Sequence, residues 1–294
     1  MAPTYKIAVV QLHPEALAVK INYAKAVGFI RDAARQGCHL VVLPEYHLTS
    51  WVPEAKYHRA SHSVLELTDC KDPDFMSACA DWQTYVDKYC ELAKELKINI
   101  VPGTIVEKHD AQLLNVAYFI SDAGEILGTY QKKNLWHPER EHLTSSAHAP
   151  HVAFDTPIGK VGMLICWDLA FPEAFRALIA AGARTIIIPT FWNLEDCNAE
   201  GLAYNPLSEA LFLESTLVAR AFENTCMLVF SNGGGAGLSQ VAVPFRGALG
   251  KMGQEEGSTV VDVDMQILDV AEANYKVRED MAKQGWHYEY TLAQ

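Results

Sequence analysis

Cys166 lies where an apolar, strand-like segment meets a turn. Val161–Cys166 is typical of a buried strand, and Pro172 follows at a position typical of the first turn of a helix. A sharp turn from strand to helix exposes the residue at its tip and directs the next backbone N–H groups toward a ligand. Such N–H groups and a nearby lysine would favour the thiolate, so Cys166 is our candidate nucleophile. The other cysteines are expected to be ordinary core residues.

Two further segments could supply partners for this nucleophile. The strand-like run Leu40–Pro44 ends directly before Glu45, and sites in open α/β folds collect at the carboxyl ends of strands. Burial there would raise the pKa of Glu45 toward the range of a general base, although a glutamate alone is more typical of the surface. Lys132 and Lys133 follow the strand-like Glu125–Gln131. Because successive strand residues face opposite sides, only one lysine is expected to point inward, where it could stabilise an oxyanion.

The elements that must position these residues alternate between strands and helices. Short runs rich in valine and isoleucine predict buried strands, and segments with apolar residues on one helical face predict helices between them. The alternation indicates an α/β protein. The predicted strands are Lys6–Gln11, Leu40–Pro44, Ile98–Gly103, Val161–Cys166 and Thr185–Pro189, and the predicted helices are Leu17–Gln36, Glu173–Ala181 and Ser208–Asn224.

Two antiparallel pairs are predicted as well, so the sheet should be mixed. Asn115–Ser121 and Glu125–Gln131 flank a turn with a glycine, which is a hairpin signal. Val241–Ala248 and Ser258–Val263 are predicted to form the second pair. The glycine run 233–235 lacks the context of a phosphate-binding motif and is predicted to be a flexible loop.

Composition excludes several classes of protein. The chain has 294 residues, half of them hydrophobic, a formal charge of −12 and seven cysteines. The negative net charge and the lack of a basic patch argue against nucleic-acid binding. The sequence contains no apolar run of about 20 residues, so a membrane span is not expected. The cysteines show no C-x-x-C spacing, and the first residues do not read as a signal peptide. We therefore expect a cytoplasmic protein.

The three chemistry-bearing segments, in this order, resemble the nitrilase superfamily of carbon–nitrogen hydrolases. The family pattern has a Glu in L-P-E, a Lys in Y-R-K-x-H-L and a Cys in G-x-x-I-C-[YW]-D-x-x-F-P-E. Here the matching segments are Leu43–Glu45, Tyr130–Leu135 and Gly162–Glu173, with Gln131 in place of the family Arg and Asn134 in place of the family His. The resemblance runs from Lys6–Gln11 through the R-A-x-E-N helix at Arg220–Asn224 to Tyr275–Asp280.

The resemblance implies roles for individual residues. Glu45 would be the general base, Cys166 the nucleophile and Lys132 the oxyanion stabiliser, because Lys132 lies two residues after the motif tyrosine. The Trp167 backbone N–H would be the second oxyanion donor. A second family glutamate is best matched by Glu139, with Glu141 as the alternative.

The resemblance also implies a fold and an assembly. It predicts a four-layer α-β-β-α sandwich with two mixed sheets, formed by residues 1–294 as a single domain. A homodimer or larger homo-oligomer is expected, with the tail from about residue 274 taking part in its contacts. No cofactor and no metal are expected.

The residues around Cys166 indicate which bond is cleaved. Cys166-Trp167-Asp168 resembles the amidase and carbamoylase branches, whereas nitrilases tend to carry Cys-Trp-Glu. A small amide or N-carbamoyl compound is therefore the predicted substrate, and a nitrile is the alternative. Many relatives that act on carboxylate-bearing substrates have an arginine where this chain has Ala170, so such a substrate is not expected unless Arg246 supplies the contact.

Several aromatic residues near the strand ends predict a pocket for an apolar or aromatic substrate. Ordinary packing of aromatics in loops would explain the same pattern. The residues are Tyr46 and Trp51 after the first motif and Phe191, Trp192 and Asn193 after the strand that ends at Pro189.

Other classes of function fit the sequence less well. His137, His142, His148 and His151 cluster in sequence, but their spacing matches no strong zinc motif. No Cys–His context of a papain-like protease is found. A non-catalytic binding protein would not need Glu, Lys and Cys in this combination.

Overall fold

The computed structural model describes residues 2–52 and 73–283. Oligomer contacts were predicted for the tail from about residue 274, of which the part beyond residue 283 lies outside the described residues. The helices are α1 (Val19–Arg35), α2 (Pro73–Ala78), α3 (Trp82–Leu96), α4 (Pro172–Ala180), α5 (Ala199–Tyr204), α6 (Ser208–Glu223), α7 (Gln266–Tyr275) and α8 (Val277–Ala282). The strands are β1 (Thr4–Gln11), β2 (Leu40–Val42), β3 (Asn99–Val101), β4 (Thr104–His109), β5 (Gln112–Ile120), β6 (Ile126–Gln131), β7 (Ala153–Thr156), β8 (Gly159–Met163), β9 (Thr185–Thr190), β10 (Met227–Asn232), β11 (Gln240–Val243), β12 (Gly247–Leu249) and β13 (Gly257–Asp264).

Within these residues the strands form two mixed sheets. The first has seven strands in the order β13-β1-β2-β3-β5-β4, and β6 pairs with the other edge of β5. The second has six strands in the order β12-β11-β10-β9-β8-β7. In both sheets the central strands run parallel to one another and the outer strands run antiparallel. Within each sheet, the carboxyl ends of the central strands therefore lie at the same end of the sheet.

Side chains alternate along β1 because successive strand residues face opposite sides of the sheet. Ile7 and Val9 enter the core that also contains Met163 and Ile187 of the second sheet. Ala8 and Val10 pack instead in the cluster that contains Ile30 of α1 and residues of α3. The outer face of the second sheet is covered in the same way by α4 and α6. The predicted four-layer α-β-β-α sandwich with two mixed sheets is therefore confirmed.

One predicted strand pairing is wrong. The segment predicted over 241–248 is interrupted by a turn at Pro244–Arg246, in which Phe245 has a φ of 64°. Its two halves, β11 and β12, form a hairpin with each other in the second sheet. β13 pairs instead with β1 in the first sheet, with Ile7 opposite Val261. Apolar alternation identifies a strand, but the partner depends on contacts that are distant in sequence.

No helix in the described part of the chain is long and apolar enough to cross a membrane.

Candidate active site

Four strand ends meet at one end of the sandwich. Glu45 follows β2 and Lys132 follows β6, both in the first sheet. Cys166 follows β8 and Phe191 follows β9, both in the second sheet. The two sheets thus supply the two halves of one site, as expected at the carboxyl ends of parallel strands.

Glu45 is completely buried and accepts three hydrogen bonds. One carboxylate oxygen, Oε1, accepts from Lys132 Nζ at 2.9 Å and from Asn115 Nδ2 at 2.8 Å. The other, Oε2, accepts from the Phe191 backbone N–H at 2.9 Å. Burial raises the pKa of Glu45 to about 7, the Lys132 ammonium opposes this rise, and the Glu139 carboxylate adds to it. The group is therefore held in a fixed orientation and titrates near neutral pH.

Lys132 lies between two glutamates and is 1% exposed. Its Nζ lies 2.9 Å from Glu45 Oε1 and 2.7 Å from Glu139 Oε1. Burial opposes the charged form, but the two carboxylates outweigh it, and the pKa of Lys132 is raised above its ordinary value. Lys132 therefore stays an ammonium, as an oxyanion stabiliser must.

Glu139 is fixed from three sides. It accepts from Lys132, from the Tyr46 hydroxyl and, through Oε2, from the Trp136 backbone N–H at 2.8 Å. Glu141 belongs to the same short 3₁₀ helix, His137–Glu141, but it is exposed. Of the two glutamates considered from sequence, only Glu139 is part of the buried cluster.

Cys166 has the backbone conformation of a strained elbow, with a φ of 46°. It begins the 3₁₀ helix Cys166–Ala170, and its Sγ lies 3.8 Å from the Phe191 carbonyl oxygen. Burial and the charge of Glu45 raise the pKa of its thiol well above the ordinary value, while Lys132 opposes this rise. Glu45 and the thiol line the same small space. A neutral thiol beside a buried carboxylate needs that carboxylate as a base.

Asp168 holds the Cys166 turn against the segment that carries Lys132. Its Oδ2 accepts from the Tyr130 hydroxyl at 2.8 Å and from the Ile165 N–H at 2.9 Å. Its Oδ1 accepts from the backbone and side-chain nitrogens of Asn134 at 3.1 and 2.8 Å. Asn134, which replaces the family histidine, thus still ties the two motifs together. Asp168 lines neither cavity at the site, so its role is to position the Cys166 turn relative to the Lys132 segment.

Two spaces meet at Cys166. The small chamber, about 20 Å³, is lined by Glu45, Lys132 and Glu139 together with Tyr46, Trp51 and Asn193. The large cavity, about 180 Å³, is lined by Trp167, Trp192, His137, Cys197 and Glu209. The residues Trp136, Cys166, Phe191 and Asp196 line both. The sulfur thus lies between a polar space of about the size of one water molecule and a mostly aromatic space that could hold a substrate.

The wall of the large cavity is built around Trp192. Its ring lies 5.6 Å from that of Trp167 and stacks on Phe212 at 5.5 Å between centroids. Its indole Nε1 donates to Glu209 Oε2 at 2.6 Å, which orients this carboxylate at the cavity. Asp196 accepts from the Asn193 backbone N–H at 2.8 Å and from its Nδ2 at 3.2 Å. Burial raises the pKa of Asp196 to about 6.

The glycine run supports this wall and is not the loose loop predicted from sequence. Gly233 and Gly234 are buried, and a Cβ on Gly234 would lie 2.3 Å from the Trp192 carbonyl oxygen. Asn232 accepts from the Trp192 N–H at 2.8 Å, and Asn193 accepts from the Gly235 N–H at 2.8 Å. Gly234 is therefore needed for close backbone approach beside the cavity.

The predicted pocket residues all lie at the site, but their contacts differ. Tyr46 and Asn193 line the small chamber, Trp167 and Trp192 line the large cavity, and Phe191 lines both. Sequence reasoning did not single out four residues that line the site or bind its carboxylates: Asn115, Trp136, Asp196 and Glu209. Trp136 lies in the Lys132 motif and could have been found there, but the other three carry no local signal.

Two alternatives that the sequence raised concern a carboxylate contact from Arg246 and a metal site. Arg246 is exposed and does not line either cavity, so it is not placed to bind a substrate carboxylate there. Among the described residues, no group of three or more histidine, cysteine, aspartate or glutamate side chains is arranged to hold a metal ion.

Known proteins resemble this chain over nearly its whole length. A family model of carbon–nitrogen hydrolases matches residues 6–275. The 2-oxoglutaramate amidase of Bacillus subtilis (strain 168) is 28% identical over 269 residues, which cover 89% of this chain and 92% of that protein. A nitrilase of Pyrococcus abyssi (strain GE5 / Orsay) is 33% identical over 184 residues, 63% of this chain and 64% of that protein.

A comparison with solved structures finds the same fold in a known protein. The crystal structure of a carbon–nitrogen hydrolase from Helicobacter pylori G27 superposes with a TM-score of 0.80 and 18% identity, covering 99% of each chain, so the two share the fold. Family match and fold together confirm the resemblance inferred from the motifs: the chain belongs to the carbon–nitrogen hydrolase family of the nitrilase superfamily and is a hydrolase.

Proposed function

We propose that the protein hydrolyses a small amide or N-carbamoyl compound through a thioester on Cys166. The observation that carries the proposal is that the Cys166 thiol lines the small chamber together with a buried carboxylate, Glu45, which accepts a hydrogen bond from the Lys132 ammonium at 2.9 Å. This arrangement contains a nucleophile, its base and a fixed positive charge, which are the parts that acyl transfer requires. The amidase among the relatives supports the same reaction class.

The first half-reaction uses all three groups. Glu45 takes the thiol proton, and the Cys166 sulfur forms a bond to the substrate carbonyl carbon. The carbonyl oxygen becomes an oxyanion, held by the Lys132 ammonium and the Trp167 backbone N–H, which has no acceptor within its own 3₁₀ turn. One such donor contributes about 3–4 kcal/mol to the transition state. The carbon–nitrogen bond then breaks, and the leaving nitrogen takes the proton from Glu45.

The second half-reaction reverses the proton path. After the ammonia or amine has left, Glu45 takes a proton from a water molecule, and the resulting hydroxide attacks the thioester carbon. The oxyanion forms again at Lys132 and Trp167. The carbon–sulfur bond breaks, the sulfur recovers a proton, and the carboxylic acid is released. A pKa of about 7 suits Glu45 to both accepting and giving a proton near neutral pH.

A panel of substrates tests the proposal. A primary amide, the N-carbamoyl compound and the nitrile with the same side chain would be assayed for ammonia release. We expect the amide or carbamoyl compound to be the better substrate, and Cys166→Ala to abolish turnover. Cys197→Ala is the matched control, because Cys197 is another cysteine of the large cavity and should not be required.

Two outcomes would contradict parts of this proposal. Turnover by Cys166→Ala at the normal rate would exclude the nucleophile. Conversion of the nitrile to its acid with no hydrolysis of the amide would favour the nitrilase reaction, which a relative named nitrilase supports. The same proposal includes a homo-oligomer located in the cytoplasm, which analytical ultracentrifugation and cell fractionation would test.

A further inference from the structure

The wall of the large cavity carries two acidic side chains, Asp196 and Glu209, of which Asp196 also lines the small chamber. Asp196 accepts hydrogen bonds only from Asn193, and Glu209 accepts one from the Trp192 indole. Because a carboxylate offers about four acceptor positions, both can accept more donors. In the part of the chain that the structure describes, neither carboxylate has a cation as partner.

The basic side chain on the described wall of this cavity is His137. No lysine or arginine of residues 2–52 or 73–283 lines the cavity. Lys132 lines only the small chamber, where Glu45 and Glu139 bind it directly. Two carboxylates around one ammonium leave that cluster with a net negative charge when both are ionised. An anionic substrate would therefore meet unfavourable charge at both ends of the site.

The remaining walls are aromatic. Trp136, Trp167, Phe191 and Trp192 line the same cavity as the two carboxylates. The face of an aromatic ring carries partial negative charge and attracts a cation, most strongly for tryptophan. A cavity with aromatic walls and unpaired carboxylates binds an organic cation better than a neutral group of the same shape.

We propose that the acyl part of the substrate carries a cationic nitrogen, an ammonium or guanidinium group on a short chain, which binds between Asp196, Glu209 and the tryptophan rings. This inference rests on the proposed function and names its substrate class. The scissile amide lies at Cys166, where the two spaces meet, and the cationic end occupies the large cavity. Burial raises the pKa of Asp196, and the Glu209 carboxylate adds to this rise, so a cation bound between the two would be favourable.

Three matched primary amides test the inference. They are 5-aminopentanamide, which is cationic, hexanamide, in which a methyl group replaces the ammonium, and adipamic acid, which is anionic. We expect kcat/KM for the cation to exceed that of hexanamide about tenfold or more, and that of the anion to be lowest. Equal or better turnover of hexanamide or adipamic acid would overturn the inference.

Substitutions at the two carboxylates test whether they cause the preference for the cationic amide. Asp196→Asn and Glu209→Gln should each lower the ratio of kcat/KM for the cation to that for hexanamide. Glu195→Gln is the matched control, since it removes the same charge from an exposed residue next to Asp196 that does not line the cavity. Using a ratio separates loss of cation binding from general damage to folding. A ratio that stays the same in Asp196→Asn and Glu209→Gln would contradict the inference.

A labelling experiment does not depend on turnover. Ethylammonium and ethylsulfonate methanethiosulfonates differ in charge and form a disulfide with an accessible thiol. The rate at Cys166, followed by peptide mass spectrometry, should favour the cationic reagent more strongly in the folded protein than in the unfolded one. Faster cationic labelling without hydrolysis of any amide would overturn the proposed function but support the cation site. Hydrolysis with a preference for neutral amides would support the proposed function and overturn the cation site.

Discussion

The small chamber and the large cavity meet at Cys166, yet they are built in opposite ways. The polar groups of the chamber, Glu45, Lys132 and Glu139, are almost completely buried and bind one another directly. The carboxylates of the large cavity, Asp196 and Glu209, are only partly buried and keep free acceptor positions. The chamber is thus complete without substrate, as preorganised catalysis requires, whereas the cavity is left for the substrate to complete.

The largest effect is expected from replacing Glu45, the proposed general base in the small chamber. Glu45→Gln should lower kcat/KM for an amide by about 10⁴-fold, the upper range for general acid–base catalysis, because Glu45 is the proposed base for the thiol and binds Lys132 directly. Steady-state ammonia release measures this change. Glu141→Gln makes the same replacement on an exposed residue of the neighbouring 3₁₀ helix, and it should retain the normal rate. A normal rate in Glu45→Gln would remove the base from the mechanism.

Lys132→Met should reduce both activity and stability. Loss of one oxyanion donor predicts a fall in kcat of roughly 10³-fold. Removing the ammonium also leaves two buried carboxylates without a partner, which should cost about 3–5 kcal/mol in the free energy of unfolding. Kinetics and urea unfolding measure the two effects. Lys133→Met is the matched control, because Lys133 is partly exposed and its Nζ donates only to the Ala149 carbonyl. Equal losses in both variants would show that the chamber does not depend on its cation.

The pH dependence should follow Glu45. Its pKa is raised to about 7, so the carboxylate that accepts the thiol proton is lost as pH falls through 7. For a neutral amide, kcat/KM should therefore fall about tenfold per pH unit below 7 and reach a plateau above it. Lys132 lowers the pKa of Glu45, so Lys132→Met should shift the profile to higher pH. A profile flat from pH 5 to 8 would contradict this assignment.

The smallest effect is expected in the large cavity. Trp192→Phe removes the N–H that orients Glu209 but retains an aromatic wall. We expect KM to rise several-fold, in line with the loss of about 1 kcal/mol from one hydrogen bond, with little change in kcat. Phe212→Leu, which changes the ring stacked behind Trp192, provides a comparison that leaves this hydrogen bond in place. A large fall in kcat in Trp192→Phe would mean that the two spaces do not act separately.

Glu45, Lys132 and Cys166 could be predicted because each lies at the end of a recognisable strand-like segment. An apolar run that ends at Pro44 places Glu45 at the edge of a sheet, and the runs before Lys132 and Cys166 do the same. Local sequence therefore carries both the chemical group and its position. Asn115, which donates to Glu45, lies inside β5 and is indistinguishable in sequence from any polar strand residue.

The pairing of β13 shows that local sequence is also insufficient to predict the fold in full. Its alternating residues predict a strand, but its partner is β1, at the other end of the chain. The nearer β11 and β12 pair with each other because the Pro244–Arg246 turn joins them. Strand propensity is a local property, whereas pairing depends on which sheet edge remains free after the rest of the chain has folded.

The sequence by itself predicted that this protein is a hydrolase and which groups are its candidate catalytic residues, because a nucleophile, a base and a cation at strand ends are recognisable from short segments. The tertiary structure alone decided that Glu139 and not Glu141 joins them, since burial depends on the whole fold. It also decided that Asp196, on the loop after β9, and Glu209, on α6, line one cavity with Cys166. Residues that are distant in sequence form a binding surface only through packing, and no local pattern records that contact.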